Sequence, residues 1–177
     1  MSYSKQKQIL QKKLKLKTSA KIALVVVTSE LLENSDADFT KNTIQGLVTL
    51  PIQMIILGSG VETSKLANQF QTKIRILPNN LETQTEVLKS ADIVLISDHQ
   101  NKSLIQQAWE NGCVPIVHEC ESVTDYNPVT EEGNAFVYHK RDVWNLFAGV
   151  IRALETYRLP YDWKGIIRNG KKACRAI

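Results

Sequence analysis

The sequence predicts an α/β protein with a doubly wound, Rossmann-like parallel sheet of about six strands and helices on both faces. Three observations predict it. The β-branched run Ile22–Thr28 has no polar alternation, which marks a strand buried on both faces, and Ile52–Leu57 reads as a second buried strand. Each run is followed by a segment of helical periodicity, and strands that alternate with helices form a parallel sheet. Right-handed crossovers then leave the doubly wound arrangement as the economical topology.

The elements follow in order. Residues 5–16 read as a helix, with Ile9, Leu10 and Leu14 toward the body of the protein. After strand 22–28, a helix around 37–49 ends before Pro51, whose ring disfavours a helical residue before it. Strand 52–57 runs into Gly58-Ser-Gly60, a short helix spans about 62–69, and a strand covers 73–77. Residues 82–89 are helical and 92–97 form a strand. A helix at 101–111 stops at Asn111-Gly112, a strong carboxyl-terminal stop signal. Strand 113–117, a loop, and a short strand at 135–139 precede two closing helices, about 141–157 and 162–175, separated by Pro160. In such sheets ligands gather at the carboxyl ends of the strands near the switch in strand order, which selects the loops at 28–36, 58–62, 97–103 and 118–126. There is no internal repeat, low-complexity tract or linker, so residues 1–177 are expected to form one domain that includes a Lys-rich helix within 1–18.

Composition narrows the function classes. The chain has 177 residues, 43% hydrophobic and 7% aromatic, enough for one sizeable core. No apolar run reaches the roughly 18 residues that a membrane span needs, and the amino terminus lacks the apolar centre of a secretory signal. Cys113, Cys120 and Cys174 are odd in number and lack metal-like spacing, which suits a reduced, cytoplasmic setting. The net charge of +4 is concentrated in Lys5, Lys7, Lys12, Lys13, Lys15, Lys17 and Lys21, with no acidic residue before position 30. No Arg and only one aromatic residue, Tyr3, accompany them, too little for a nucleic-acid surface, so the lysines are read as a solvated helix face.

Several motifs, in shared order and spacing, resemble the C-terminal domain of bacterial glycogen and plant starch synthases, retaining glycosyltransferases of the GT-B type. Lys5-Gln-Lys-Gln-Ile-Leu-Gln-Lys-Lys-Leu-Lys-Leu16 resembles the family's Lys-x-x-Leu-Gln-x-x-Leu-Gly-Leu. Val27-Thr-Ser29-Glu-Leu31 stands where the family has Val-Ser-Arg-Leu, and Ile55-Ile-Leu-Gly58-Ser-Gly60 resembles its Leu-Gly-x-Gly turn. Ala91-Asp-Ile-Val-Leu-Ile-Ser97 and Ala108-x-x-x-Gly112-x-x-Pro-Ile-Val117 resemble its Ala-Asp-x-x-Leu-Met-Pro-Ser and Ala-x-x-x-Gly-x-x-Pro-Ile-Val. Arg152-Ala-Leu-Glu-Thr-Tyr157 and Trp163-x-x-Ile-x-x-Asn169-Gly170 resemble its closing helices. The resemblance covers nearly the whole sequence and rests on residues that build the scaffold. Function must be argued from the site.

There the chain departs from the family. The resemblance implies an Arg and a Lys in the first loop that meet the charge developing on the leaving diphosphate; Glu30 and Ser35 stand in their places. Each such contact is worth about 1.5–3 kcal/mol, so losing two costs on the order of 3–6 kcal/mol, a hundredfold or more in affinity. The family's Glu-Pro-x-Gly-Leu, whose Glu contacts the donor sugar, is replaced by Ser97-Asp98-His99-Gln100-Asn101-Lys102-Ser103-Leu104, about two residues shorter. His99 falls nearest the Glu position, with Asp98 beside it. They form either an acid/base pair or an exposed loop whose Asp98 or Asn101 caps the next helix, and the capping reading is adopted. The family's Thr-Gly-Gly-Leu-x-Asp phosphate cradle becomes Cys120-Glu121-Ser122-Val123-Thr124-Asp125, without either glycine and with a charge that repels an anion. Asp125 remains and is expected to cap. His118, Glu119, Cys120 and Glu121 on one loop, without a second ligand cluster, are not read as a metal site.

The residues left as nucleotide-binding candidates are Ser29, Gly58, Ser59, Gly60, Asp98, His99 and Ser122. No catalytic residue, metal or cofactor is assigned. The family works in a cleft between two halves, and this chain matches the second half without its last helix. Three functions are weighed: a degenerate, non-catalytic domain that binds a nucleotide sugar, a glycan or a protein; the donor-binding half of a split or longer glucosyltransferase using ADP- or UDP-glucose; and a protein-interaction or oligomerisation module. The expected partners are therefore ADP- or UDP-glucose, a glycan, an N-terminal GT-B domain or another protein, and neither a membrane nor nucleic acid.

Overall fold

A computed structural model describes residues 3–28, 37–58, 60–96 and 102–175. The six described strands are β1 (Ala23–Thr28), β2 (Ile52–Leu57), β3 (Ile74–Leu77), β4 (Ile93–Ile96), β5 (Val114–His118) and β6 (Phe136–Tyr138). All neighbouring pairs are parallel, in the order β3-β2-β1-β4-β5-β6. Pairing runs from Ala23↔Ile52 to Thr28↔Leu57 on one side of β1 and from Val25↔Ile93 to Val27↔Leu95 on the other. The described helices are α1 (Tyr3–Lys13), α2 (Ala37–Thr49), α3 (Val61–Gln69), α4 (Leu81–Leu88), α5 (Lys102–Asn111), α6 (Val143–Tyr157) and α7 (Pro160–Cys174). The expected doubly wound α/β architecture is the one observed, and most boundaries fall within one or two residues of those expected.

Every residue of β1 and β2 is buried, the polar Gln53 of β2 included, as strands covered on both faces require. Alternation along the strands then separates two cores. Val25, Val27, Met54 and Ile93 face a layer containing Ile44 and Leu47 of α2, Leu66 of α3, Leu146 and Val150 of α6 and Trp163 of α7. Leu24, Val26, Ile55 and Val94 face Leu10 of α1, Val87 and Leu88 of α4, and Leu104, Ile105 and Trp109 of α5.

Helix ends follow local chemistry. Asn80 Oδ1 accepts from Thr83 N at 2.9 Å and Asp142 Oδ1 from Asn145 N at 2.8 Å, two side-chain N-caps. Gly112, at φ +74°, ends α5 as expected, with its N–H on Trp109 O and that of Cys113 on Ala108 O. Helix α1 stops earlier than expected, at Lys13, because Lys15 turns to φ +54° and Arg75 donates to the carbonyls of Leu14 and Lys15. Pro160 does not lie between the last two helices but opens α7, where its missing N–H costs nothing.

The Lys-rich helix departs most from expectation. Leu10 is buried, but Ile9 is 52% exposed and Lys7 is 1% exposed. Lys7 Nζ lies 2.6 Å from Asp92 Oδ2 and 2.9 Å from Tyr157 Oη, and the same carboxylate oxygen accepts from Leu24 N at 2.7 Å. Tyr157 donates to Ala20 O at 2.7 Å. This cluster ties α1 and the end of α6 to the amino-terminal ends of β1 and β4. Burial holds the Asp92 carboxyl above the ordinary carboxylate range, against the pull of Lys7 and Leu24 N. It also raises the Tyr157 hydroxyl, with Asp92's charge adding to the shift. Beside it, Gln11 donates to Gln53 Oε1 at 2.7 Å, both buried.

Candidate functional site

The strand order reverses between β1 and β4, so the crevice favoured for ligands lies where Thr28 and Ile96 leave the sheet. Ser29, Glu30, Ser35, Ser59, Asp98, His99 and Asn101 lie outside the described residues. Gly58, Gly60 and Ser122 lie within them.

Gly58 takes φ +106° at the end of β2, a conformation that favours glycine, and its N–H donates to Leu77 O at 2.9 Å. Gly60 is the N-cap of α3: its N–H donates to Thr63 Oγ1 at 2.8 Å, and that hydroxyl donates back to Gly60 O at 2.9 Å. Both glycine amides are therefore engaged in the turn. Ser122 lies beyond β5, half-buried, with its hydroxyl 3.6 Å from Cys120 Sγ. The ends of β2 and β5 are three strand spacings apart, on the order of 14 Å, so the structure places Gly58 and Ser122 on opposite sides of the switch.

The loop after β5 is closed by its own bonds. The N–H of Val123 donates to Cys120 O, that of Thr124 to Asn134 Oδ1 at 2.9 Å, and that of Tyr126 to Ala135 O. Asn134 is itself fixed, its N–H on Thr124 O and its carbonyl accepting from the buried Trp109 indole at 2.9 Å. Asp125, expected to cap, instead fastens the loop to β6 and α6. One oxygen accepts from Val137 N at 2.8 Å and the other pairs with Arg152 at 2.7 Å. A Cβ on Gly133 would strike the carbonyl oxygen of Asp125, so glycine at φ +101° is needed to close the turn. Glu121 points to solvent.

Sequence reasoning weighed His118 and Glu119 only as metal ligands and missed Tyr138, His139, Lys140 and Arg141, which the structure brings beside them at the ends of β5 and β6. His118 Nε2 lies 3.1 Å from His139 O, and its ring meets Tyr138 edge-on, centroids 5.5 Å apart. Buried Tyr138 reaches Ile96 O at 3.5 Å across the end of β4, and burial pushes its hydroxyl up to about 12. His139 Nδ1 lies 3.0 Å from Glu119 Oε2, both about two-thirds exposed, and exposed Lys140 and Arg141 follow. Among the described residues no group of three His, Cys, Asp or Glu side chains is arranged to hold a metal ion. A cleft of about 340 Å³ between α2 and α6 is lined by Asn42, Gly46, Val143, Trp144 and Phe147, with Trp144 80% exposed. The only hint of it in the sequence was Trp144 and Phe147, three residues apart at the start of a helix.

No protein-family model matches the chain. Among curated proteins, the glycogen synthase of Fusobacterium nucleatum is 28% identical over 175 residues, covering 92% of this chain and 38% of that protein. That of Caldicellulosiruptor bescii is 29% identical over 170 residues, covering 89% and 36%. The chain thus spans well under half the length of these relatives. Among solved structures, a glycosyltransferase from Rickettsia africae superposes with a TM-score of 0.70 at 11% identity, covering 99% of this chain and 48% of that one. Anabaena HepE, solved with UDP and glucose, gives 0.69 at 12% identity, covering 97% and 48%. Over nearly all its length this chain is homologous to the C-terminal part of bacterial glycogen synthases, and its fold is that of one half of a GT-B glycosyltransferase.

Proposed function

We propose that this chain is a single-domain descendant of a glycogen synthase-like donor-binding half that keeps the scaffold but not the anion cradle, and that on its own it transfers no sugar. The observation that carries the reading is the loop after β5. Val123 and Thr124 amides are bound to Cys120 O and Asn134 Oδ1, and Glu121 stands where the family has glycine. A phosphate there would meet a carboxylate and few free donors. Glu30 and Ser35, in place of the family's two cations, act in the same direction. What remains of binding is weak contact with a nucleotide sugar, a glycan or a protein. The rim for a nucleotide sugar is Ser29, Gly58, Ser59, Gly60, Asp98, His99 and Ser122.

Calorimetric titration with ADP-glucose, UDP-glucose, ADP and UDP tests this reading. No saturable binding below millimolar concentration is expected; micromolar binding overturns it. Glu30→Arg with Ser35→Lys should strengthen ADP binding. If it does not, the assignment of those positions to the family's cations is wrong.

The match to only 36–38% of the relatives favours a second reading, the donor half of a split or longer ADP- or UDP-glucose glucosyltransferase. It requires product when an N-terminal GT-B half is added, and no product from the mixture rejects it.

A further inference from the structure

The outer face of α7 carries Lys164, Arg168, Lys171, Lys172 and Arg175, all exposed. Among the described residues no carboxylate lies in ion-pair range of any of them, whereas Lys7, Lys13, Arg152 and Arg158 elsewhere are paired. At 3.6 residues per turn the five cations fall in one arc of about 100°, and Tyr161 falls in the same arc. Tyr161 is 68% exposed and donates to Glu131 at 3.3 Å, so its ring is presented at one end of the row. The row runs about 21 Å along the helix. Between the lysine and arginine stems is a shallow groove of about 370 Å³ floored by Ile167. A Cβ on Gly112 would lie 3.8 Å from Lys171 Cε, so the row crosses the amino-terminal entry to β5, away from the carboxyl ends that hold the candidate site.

We propose that this face of α7 is a docking surface for an anionic lipid bilayer. Four to eight cations on one face of an amphipathic helix match the negative potential of such a surface. An exposed tyrosine in line with them suits the headgroup depth, where a ring with a polar tip settles. A nucleic-acid surface would call for a second cationic element to form a groove, or for aromatic platforms between the cations, and the arc on α7 has neither. Among the described residues no helix is long and apolar enough to cross a membrane. That bears on insertion, not on adsorption by charge, so the sequence-based exclusion of a membrane is narrowed to spanning.

The test is co-flotation of the full chain with vesicles of phosphatidylcholine alone and of phosphatidylcholine with an equal part of phosphatidylglycerol, at 50 and 500 mM NaCl. Binding to the mixed vesicles alone, lost at high salt, is expected. The variant Lys164→Gln/Arg168→Gln/Lys171→Gln should lower the partition coefficient roughly 100-fold, about fivefold per cation. The control Lys5→Gln/Lys12→Gln should leave it within a few-fold. Circular dichroism checks that the triple variant folds; should it not, Arg168→Gln alone carries the fivefold expectation. No vesicle binding at 50 mM NaCl overturns the proposal, as does binding insensitive to the α7 variants. Tight binding of a 20-base-pair duplex by the same cations, without vesicle association, overturns it in favour of nucleic acid.

Discussion

Two glycines of α7 should respond to alanine with opposite signs. Gly165 has no atom within 4 Å of where a Cβ would stand, so Gly165→Ala acts through backbone entropy and helix propensity alone. That gain is about 1 kcal/mol. At Gly170 the new Cβ would stand 2.5 Å from Trp109 Cδ1 and 3.1 Å from its Nε1, against about 3.4 Å for ordinary contact. The indole must retreat by nearly 1 Å. It is 2% exposed and held by its bond to Asn134 O, so it has little room to do so. Overpacking of this kind costs about 1–3 kcal/mol, and weakening the buried hydrogen bond adds about 1 kcal/mol. Set against the same propensity gain, Gly170→Ala should be destabilising by about 1–3 kcal/mol.

Thermal and urea unfolding read this directly. For a chain of this size each kcal/mol moves Tm by about 2–4 °C, so Gly165→Ala should melt a few degrees higher than the parent and Gly170→Ala several degrees lower. A local readout separates a clash from a general loss of stability. Trp109 holds Asn134, and Asn134 holds the amide of Thr124, so hydrogen exchange at Thr124 should accelerate in Gly170→Ala beyond the change in global stability. A Gly170→Ala variant that melts with or above the parent would refute the reasoning, because it would mean that the indole yields without cost.

Other expectations concern charge and thiols. Lys7→Met leaves the Asp92 carboxylate buried without its cation and should cost about 3–5 kcal/mol, while Lys7→Met/Asp92→Asn should recover much of it; equal losses in the two variants would show that the pair is not coupled. Asp142 is held below the ordinary carboxylate range by its bonds to the Asn145 side chain and N–H, so its contribution is present above the unfolded value of 3.8 and fades as pH falls through the lower folded value. The Tm difference between parent and Asp142→Ala should therefore shrink on acidification below that point, and a difference independent of pH would contradict it. Burial, with Asp92 nearby, raises the Cys113 thiol well above its ordinary range, so Cys113 should resist alkylation until the chain is unfolded, while half-exposed Cys120 labels in the native state.

What the sequence disclosed was what local rules determine. The β-branched run 22–28 and the largely apolar segment 52–57 located β1 and β2 almost to the residue, and Asn111-Gly112 marked the end of α5, because burial on two faces and a left-handed turn leave compositional traces. Lys7 left none. It is one lysine among seven in the first 21 residues, and its burial depends on Asp92 and Tyr157, 85 and 150 positions away. The same holds for Gln11 with Gln53 and for Asp125 with Arg152, where the partner is supplied by the topology. Ile9 was misassigned because the groove between α1 and α4 leaves that face half open. At the candidate site, the missing glycines could be read from the sequence. That the remaining amides bond back onto the loop could not, since it depends on Asn134 arriving from ten residues downstream.

On the proposed reading, the loop after β5 is where the phosphate cradle has been given up. A cradle of free amides is costly to keep, because each unpaired donor gives up a hydrogen bond worth about 1 kcal/mol in a folded chain. Here Asn134 occupies the Thr124 amide, Val123 turns back on Cys120, and Asp125 is saturated by Val137 N and Arg152. Glycine restored at 121 and 122 would therefore widen the backbone without freeing these donors. The expectation is that Glu121→Gly/Ser122→Gly alone leaves ADP binding unmeasured in calorimetry, while adding Asn134→Ala releases the Thr124 amide at a stability cost of about 1–3 kcal/mol. Micromolar ADP binding by the two-glycine variant would show that side chains alone, Glu121 foremost, block the cradle, and would overturn the expectation drawn from the loop's backbone bonds.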